Sequence, residues 1–323
     1  MINKKRLSRK LMFFIVGIAY FIVTPLIFRN SPYILSIIIN FSILSCISLG
    51  VWLTFVIGRV NIGQAAFVGI GGYTTAILLT KLGLSFWICL PLSGIVAALL
   101  SIILGVAILR LKGIYFSMVS LTLTALMNLV FLNASFITNG ANGIMNIPRP
   151  GALVIGSFTI IPAFGEGNYM PFYYLVAFNL LICLFIVWKL YNSRIGWIFR
   201  SLRQSEKLAQ SIGINVVKYR ILAYTVCGFL GGLGGSLFVV YLKNIFPDSF
   251  KVIDSVYYML YCFLGGLEYV LGPIVGTFLL TTSFELLRSI QQYQELIYAL
   301  IMIAIMLWLP NGILSLNFRK NKK

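Results

Sequence analysis

Only seven acidic residues occur in this chain of 323: Glu166, Glu206, Asp248, Asp254, Glu268, Glu285 and Glu295. None lies in the middle of a long apolar run, and charge is confined to the seams between such runs. A helix needs about 20 apolar residues to cross the hydrocarbon core of a bilayer. Inside lipid, only helices and closed barrels satisfy their own backbone. Composition agrees: 10% of residues are charged and 60% hydrophobic, against roughly 25% charged in an average soluble domain. The barrel signature of alternating segments of roughly ten residues is missing. The chain reads as an all-α polytopic membrane protein with a single transmembrane domain, 11–315, between a basic N-terminus, 1–10, and a basic tail, 316–323.

Apolar elements fall at about 11–28, 34–57, 62–80, 86–109, 115–135, 171–188, 221–242, 255–267, 270–287 and 291–309. That gives about 8–10 transmembrane or half-spanning helices. The 255–267 element is too short to cross, so it is expected to be a half-span or re-entrant piece buried in protein. The run Leu11 to Phe28 exceeds a signal-peptide core and no A-x-A-like site follows it, so an uncleaved first span is expected.

Basic residues orient the bundle. Counting from an internal N-terminus, 19 of 25 fall inside: Lys4, Lys5, Arg6, Arg9, Lys10, Arg59, Arg110, Lys112, seven from Lys189 to Arg220, and four in the tail. The connecting loops are mostly short, so the positive-inside rule applies and puts both termini in the cytoplasm. The formal net charge of +18 therefore reflects topology rather than a nucleic-acid surface. The five cysteines stand singly in apolar runs and histidine is absent. Zinc, haem and disulfide frameworks have no support.

Two loops exceed ordinary connections. The external one, 136–170, is rich in Gly, Asn and Pro; the internal one, 189–220, is strongly basic. Within the latter, Ser193 to Asn215 reads as an amphipathic helix. Ile195, Ile198, Phe199, Leu202, Leu208 and Ile212 form its apolar face, Arg194, Arg200, Arg203 and Lys207 its polar one, and Gly213 its stop. Such a helix suits either anionic headgroups or a docking groove on another protein.

The glycines of Gly228-x-x-Gly231-Gly232-x-Gly234-Gly235, with Gly272 and Gly276, read as faces for close helix packing. Phe67 to Tyr73 and Phe263 to Tyr269 are Gly-interrupted stretches in comparable places of the two halves, a pointer to inverted repeats with broken helices. Asn61, Gln64, Thr74, Thr75, Thr122, Thr124 and Asn128 are intramembrane polar residues that either bridge helices or line a passage. From these, Asn61, Gln64, Thr74, Thr122 and Asn128 are taken as the candidate translocation path. No acid or imidazole sits mid-membrane, which counts against a proton relay, and no TVGYG-like filter occurs.

Several segments together resemble the permeases of branched-chain amino acid ABC importers of the LivM type. They are Asn61-Ile-Gly63-Gln64-Ala-Ala-Phe67 to Tyr73, Leu109-Arg110-Leu-Lys112-Gly113-Ile-Tyr115, and Thr138-Asn-Gly140-Ala-Asn-Gly143-Ile144 with Ile147-Pro148. Glu206-Lys-Leu-Ala209-Gln-Ser-Ile-Gly213, Leu264-Gly265-Gly266-Leu267 with Gly272-Pro273, and Leu309-Pro310-Asn311-Gly312 follow in the family's order. The Glu206 segment is similar to the Glu-Ala-Ala…Gly loop of such permeases. It departs at Leu208, which replaces an alanine, and at Gln210 and Ser211, which replace an acidic-small pair.

The resemblance implies a coupling helix, with Arg200, Arg203, Glu206, Ala209 and Gly213 as its coupling residues, seated on an ABC ATP-binding subunit. It also implies a second homologous permease, an extracytoplasmic substrate-binding protein, and a prokaryotic cell membrane as the site. No GxxxxGK[ST] segment occurs, so ATP and Mg would be bound by the partner and this chain would carry no cofactor and no catalytic residue. The expectation is an import permease for branched-chain or related amino acids. Urea or a short amide is the alternative cargo, and a stand-alone secondary transporter the alternative class.

Overall fold

The computed structural model describes residues 20–288, except 22–23, 29–30, 112, 156–157, 162–163 and 165–168, together with a few positions between 296 and 315. The expected spans 11–28 and 291–309 and both basic termini lie largely outside the described residues. The main helices are α1 Pro32–Val56, α2 Gln64–Thr80, α3 Phe86–Ile108, α4 Ile114–Asn133, α5 Met170–Tyr191, α6 Arg194–Gln204, α7 Glu206–Ser211, α8 Val216–Leu242, α9 Val252–Gly265 and α10 Gly272–Leu286. Five of them, α1, α3, α4, α5 and α8, are long and apolar enough to cross a membrane. The fold is an all-α polytopic membrane bundle.

At its centre α8 packs along α1, α2 and α3. Lipid supplies no hydrophobic force between helices, so their approach depends on small residues. Gly228, Gly231, Gly232 and Gly235 face these neighbours: a methyl added at Gly232 would stand 2.6 Å from the Ser93 carbonyl oxygen, and one at Gly235 would run into the Val68 carbonyl. The 17-residue α2 is buried over most of its length.

The short element expected near 255–267 is α9, with 14 residues, and its successor α10 has 15. At 1.5 Å per residue each is about 21–23 Å long, less than the hydrocarbon thickness. They pair as a hairpin whose tip, at Gly265 to Leu271, is pinned where the Trp52 indole donates to the Leu267 carbonyl at 3.0 Å. The close pairing requires Gly276, where a methyl would collide with the Tyr261 carbonyl. The two Gly-interrupted stretches are not alike. Phe67 to Tyr73 runs unbroken through α2, whereas the second turns the chain at Gly265. Gln64 begins α2, so that helix has no interior break to align with the second stretch.

The described part of the loop expected at 136–170 is structured. A short helix, Ser135–Thr138, a 3₁₀ turn, Gly140–Asn142, and a small antiparallel hairpin, Leu153–Ile155 with Phe158–Ile161, cap one end of the bundle. Ile144 is bridged to Ile245.

Candidate functional site

Among the described residues, the opposite, basic end holds a buried cluster of charges. At the end of α1 the Gly58 and Arg59 amides close back onto Phe55 and Thr54, with Gly58 at φ +76°. This glycine-terminated C-cap leaves Arg59 as the first residue beyond the turn. Arg220 lies in the opening turns of α8, where the Asn215 side chain accepts from the Lys218 amide. Both arginines converge on one carboxylate. Glu206 pairs with Arg59 at 3.2 Å and with Arg220. The arginine side chains are 3% and 5% exposed and the glutamate 26%. Burial pulls the Arg59 guanidinium below its ordinary pKa range. Arg59 also lies 5.9 Å from the Phe116 ring of α4, so the cluster ties four elements together.

The expected single amphipathic helix over 193–215 is two helices. Ser205 is extended, and its hydroxyl caps α7 by accepting from the Leu208 amide at 3.3 Å. The reason is local: Ser followed by Glu is a stronger helix start than a helix interior. The break rotates the faces. Leu202, Ala209 and Val216 form a small separate core, whereas Leu208 and Ile212, expected on one apolar face with Leu202, are 67% and 70% exposed. Helix α7 ends in a second glycine cap, with Gly213 (φ +82°) donating to Gln210 and Ile214 to Ala209.

Of the residues proposed for coupling, Glu206 and Ala209 therefore face the bundle. Gly213 shapes the turn. Arg203 is exposed, with its backbone against Gly58. Arg200 stacks on Tyr191 and Trp197, 4.4 and 4.3 Å from their ring centres, and donates to the Tyr191 carbonyl.

Further into the bundle, the N-terminus of α2 is buried. A helix start carries orphan amides that lipid cannot satisfy. Here the neighbours satisfy them: the Ile62 amide donates to Ser120, Gly63 to Asn61 and Ala65 to Ser255. Gln64 donates to the carbonyls of Ile47 and Cys227, at 3.3 and 3.1 Å, and accepts from the Cys227 thiol. Asn61 reaches the same sulfur at 3.4 Å. Asn61 and Gln64 thus share one fully buried cluster. Asn128 donates to the Pro247 carbonyl at 2.7 Å. Thr74 and Thr122 bond to their own helices, Thr122 on an exposed face. The five candidate path residues do not meet at one site.

The pairing of Glu206 with Arg59 and Arg220 was not read from the sequence, although a signal existed. Glu206 is the sole acid among seven basic residues between 189 and 220, and a lone acid in such surroundings is the natural counter-ion for whichever cation is buried.

Comparison with known proteins places the chain among transport permeases. The family model described as the permease component of branched-chain amino acid transport systems matches residues 33–308. The chain is 32% identical over 287 residues, 84% of its own length and 68% of the relative's, to the high-affinity branched-chain amino acid transport system permease protein LivM of Salmonella typhimurium. It is 25% identical over 300 residues, 88% of this chain and 93% of the relative, to the probable branched-chain amino acid transport permease protein LivH of Methanocaldococcus jannaschii. A nucleoside ABC transporter permease of Lactococcus lactis, NupC, is 27% identical over 199 residues, 59% of this chain and 62% of the relative. No solved structure gave a significant match.

Proposed function

Because the chain belongs to the family of branched-chain amino acid transport permease components, we propose that it is the membrane-spanning permease subunit of an ABC importer for branched-chain amino acids. It works beside a second, homologous permease in a prokaryotic cell membrane. The Arg59 end faces the cytoplasm, as do both termini. An extracytoplasmic protein delivers substrate at the capped end. ATP and Mg are bound by two cytoplasmic ATP-binding subunits, and this chain needs no cofactor of its own.

The observation that carries the coupling role is the split of the basic loop into an inward and an outward face. Glu206 and Ala209 turn toward the bundle, while Leu208 and Ile212, one helical turn apart, stand exposed on the other side of α7. Exposed aliphatic side chains beside Lys207 on a short, doubly capped helix suit a groove on a protein partner better than bulk water. When the ATP-binding subunits close, they move α7. The ion cluster passes that movement to α1 and α8 as rigid-body displacement.

The test is co-purification. The solubilised chain should bring down an ATP-binding subunit and a second permease. Leu208→Asp with Ile212→Asp should release the ATP-binding subunit while the permease pair persists. Recovery of the chain alone, under conditions that keep other ABC complexes whole, overturns the reading.

A further inference from the structure

At the end opposite the ion cluster, α1, α8 and α10, with Tyr261 of α9, line an open cavity of about 380 Å³. This lies in the roughly 300–1,000 Å³ range of small-molecule sites. Its lining divides by chemistry. Leu44, Phe238 and Phe284 give an apolar wall. Glu285 and Arg288 give a paired anion and cation, 3.1 Å apart. The Tyr33 hydroxyl donates to the Glu285 carboxylate and lies 3.5 Å from the Arg288 guanidinium. Asn40, two turns into α1 and half-buried, also lines the cavity, and its amide has no hydrogen bond among the described residues. Its neighbours on α1 are met: the Ser36 hydroxyl donates to Tyr33, and the Ser42 hydroxyl to Ile38. The half-exposed Asn40 amide is therefore available to a ligand that enters the cavity.

We propose that this cavity receives a zwitterionic α-amino acid with an aliphatic side chain, between its release by the binding protein and its passage through the bundle. The inference rests on the transport reading above and adds the place where this chain meets its cargo. The Arg288 guanidinium takes the ligand carboxylate, which also accepts from the Asn40 amide. Glu285 and the Tyr33 oxygen take the ammonium. The aliphatic side chain lies against Phe238 and Phe284. A ligand with a single charge fits worse, because a lone carboxylate meets Glu285 and a lone ammonium meets Arg288. Glu285 and Arg288 stand three residues apart on one stretch of chain and pair with each other when the cavity is empty. Binding therefore exchanges one ion pair for two rather than creating both, which keeps affinity low. Low affinity suits a step that must release its ligand.

The experiment uses the assembled transporter in lipid nanodiscs, without binding protein, and saturation-transfer NMR with three probes. They are leucine, 4-methylpentanoate, which lacks the ammonium, and 3-methylbutylamine, which lacks the carboxylate. Leucine should saturate in the millimolar range and both singly charged probes should bind about ten-fold more weakly. Glu285→Gln and Asn40→Leu should each weaken leucine about five- to ten-fold, the loss expected for one polar contact. Equal binding of the three probes, or undiminished leucine binding in both variants, overturns the site. Leucine uptake by wild-type proteoliposomes given loaded binding protein separates the two readings. Failure there sinks the transport reading itself. Normal wild-type uptake with unimpaired uptake by variants that no longer bind leucine sinks only the cavity's place on the path.

Discussion

Replacing Glu206 by glutamine removes one negative charge with almost no change in volume. Arg59 and Arg220, 3% and 5% exposed, keep their charges and then face each other without a counter-ion. Removing one partner of a fully buried ion pair costs roughly 3–5 kcal/mol. The Glu206 carboxylate is 26% exposed, so water relieves part of this, and the amide oxygen of glutamine still accepts a hydrogen bond. About 2–3 kcal/mol remains. The cost falls on the docked loop rather than on global unfolding. What otherwise holds α7 is the small core of Leu202, Ala209 and Val216. A loss of about 2–3 kcal/mol multiplies the undocked population by about 30–150.

Hydrogen exchange reads this opening directly. The amides of Ala209, Gly213 and Ile214, each bonded within the loop, should exchange about 30–150 times faster in Glu206→Gln, while amides in the middle of α1 keep their protection. Uptake should fall while ATP hydrolysis by the assembled complex continues, and Glu206→Asp, which keeps the charge, should recover part of the coupling. Unchanged exchange would refute the reasoning. The cluster would then be a solvent-screened surface pair contributing less than about 1 kcal/mol.

Three other perturbations test other links. Gly213→Pro places a residue confined near φ −65° where the chain needs +82° and deletes the amide bonded to Gln210; uptake should be lost with normal membrane insertion, both read in vesicles. Gln64→Leu leaves the Cys227 thiol and two carbonyls without their partner; a loss of about 2–3 kcal/mol is expected, seen as a lower Tm of the solubilised protein. Gly235→Val drives a side chain into the Val68 carbonyl; α2 and α8 must separate, so the folded yield by gel filtration should collapse, whereas Gly151→Ala, where an added methyl meets nothing within 4 Å, should be silent.

What the sequence made legible follows from which forces it encodes locally. Among the described residues, the five long spans were readable within a few residues because lipid imposes a length and a composition on each helix independently. The short α9 was readable for the same reason, as a run too brief to cross. The split of the basic loop was missed because apolar spacing alone cannot tell one helix from two when a capping serine lies between them, and Ser205 is such a residue. The meeting of Arg59, Glu206 and Arg220 was missed because it joins three segments of the chain, and the lone acid of the basic loop marks a counter-ion without naming which cations it meets. Each arginine alone looks like a positive-inside charge. Asn61 and Gln64 were found, but not their partner Cys227, nor Ser120 and Ser255, which accept from the Ile62 and Ala65 amides at the start of α2. Those lie on α8, α4 and α9.

The ion cluster and the cavity occupy opposite ends of the same two helices, and this gives α8 a mechanical meaning. Arg220 is held at one end of it, and Phe238 lines the cavity near the other. Eighteen residues of helix at 1.5 Å each put them about 27 Å apart. The packing along α8 is backbone against backbone at Gly232 and Gly235, which makes those contacts stiff. A tilt of about 5° imposed at the Arg220 end therefore moves the Phe238 end by about 2 Å, enough to change the shape of a cavity of about 380 Å³. Helix α1 carries the same relation from Arg59 to Asn40. On the proposed mechanism this is why the charge of Glu206, far from the cavity, is expected to control uptake: without it a movement of α7 driven by ATP-binding subunits would have nothing rigid to pull on.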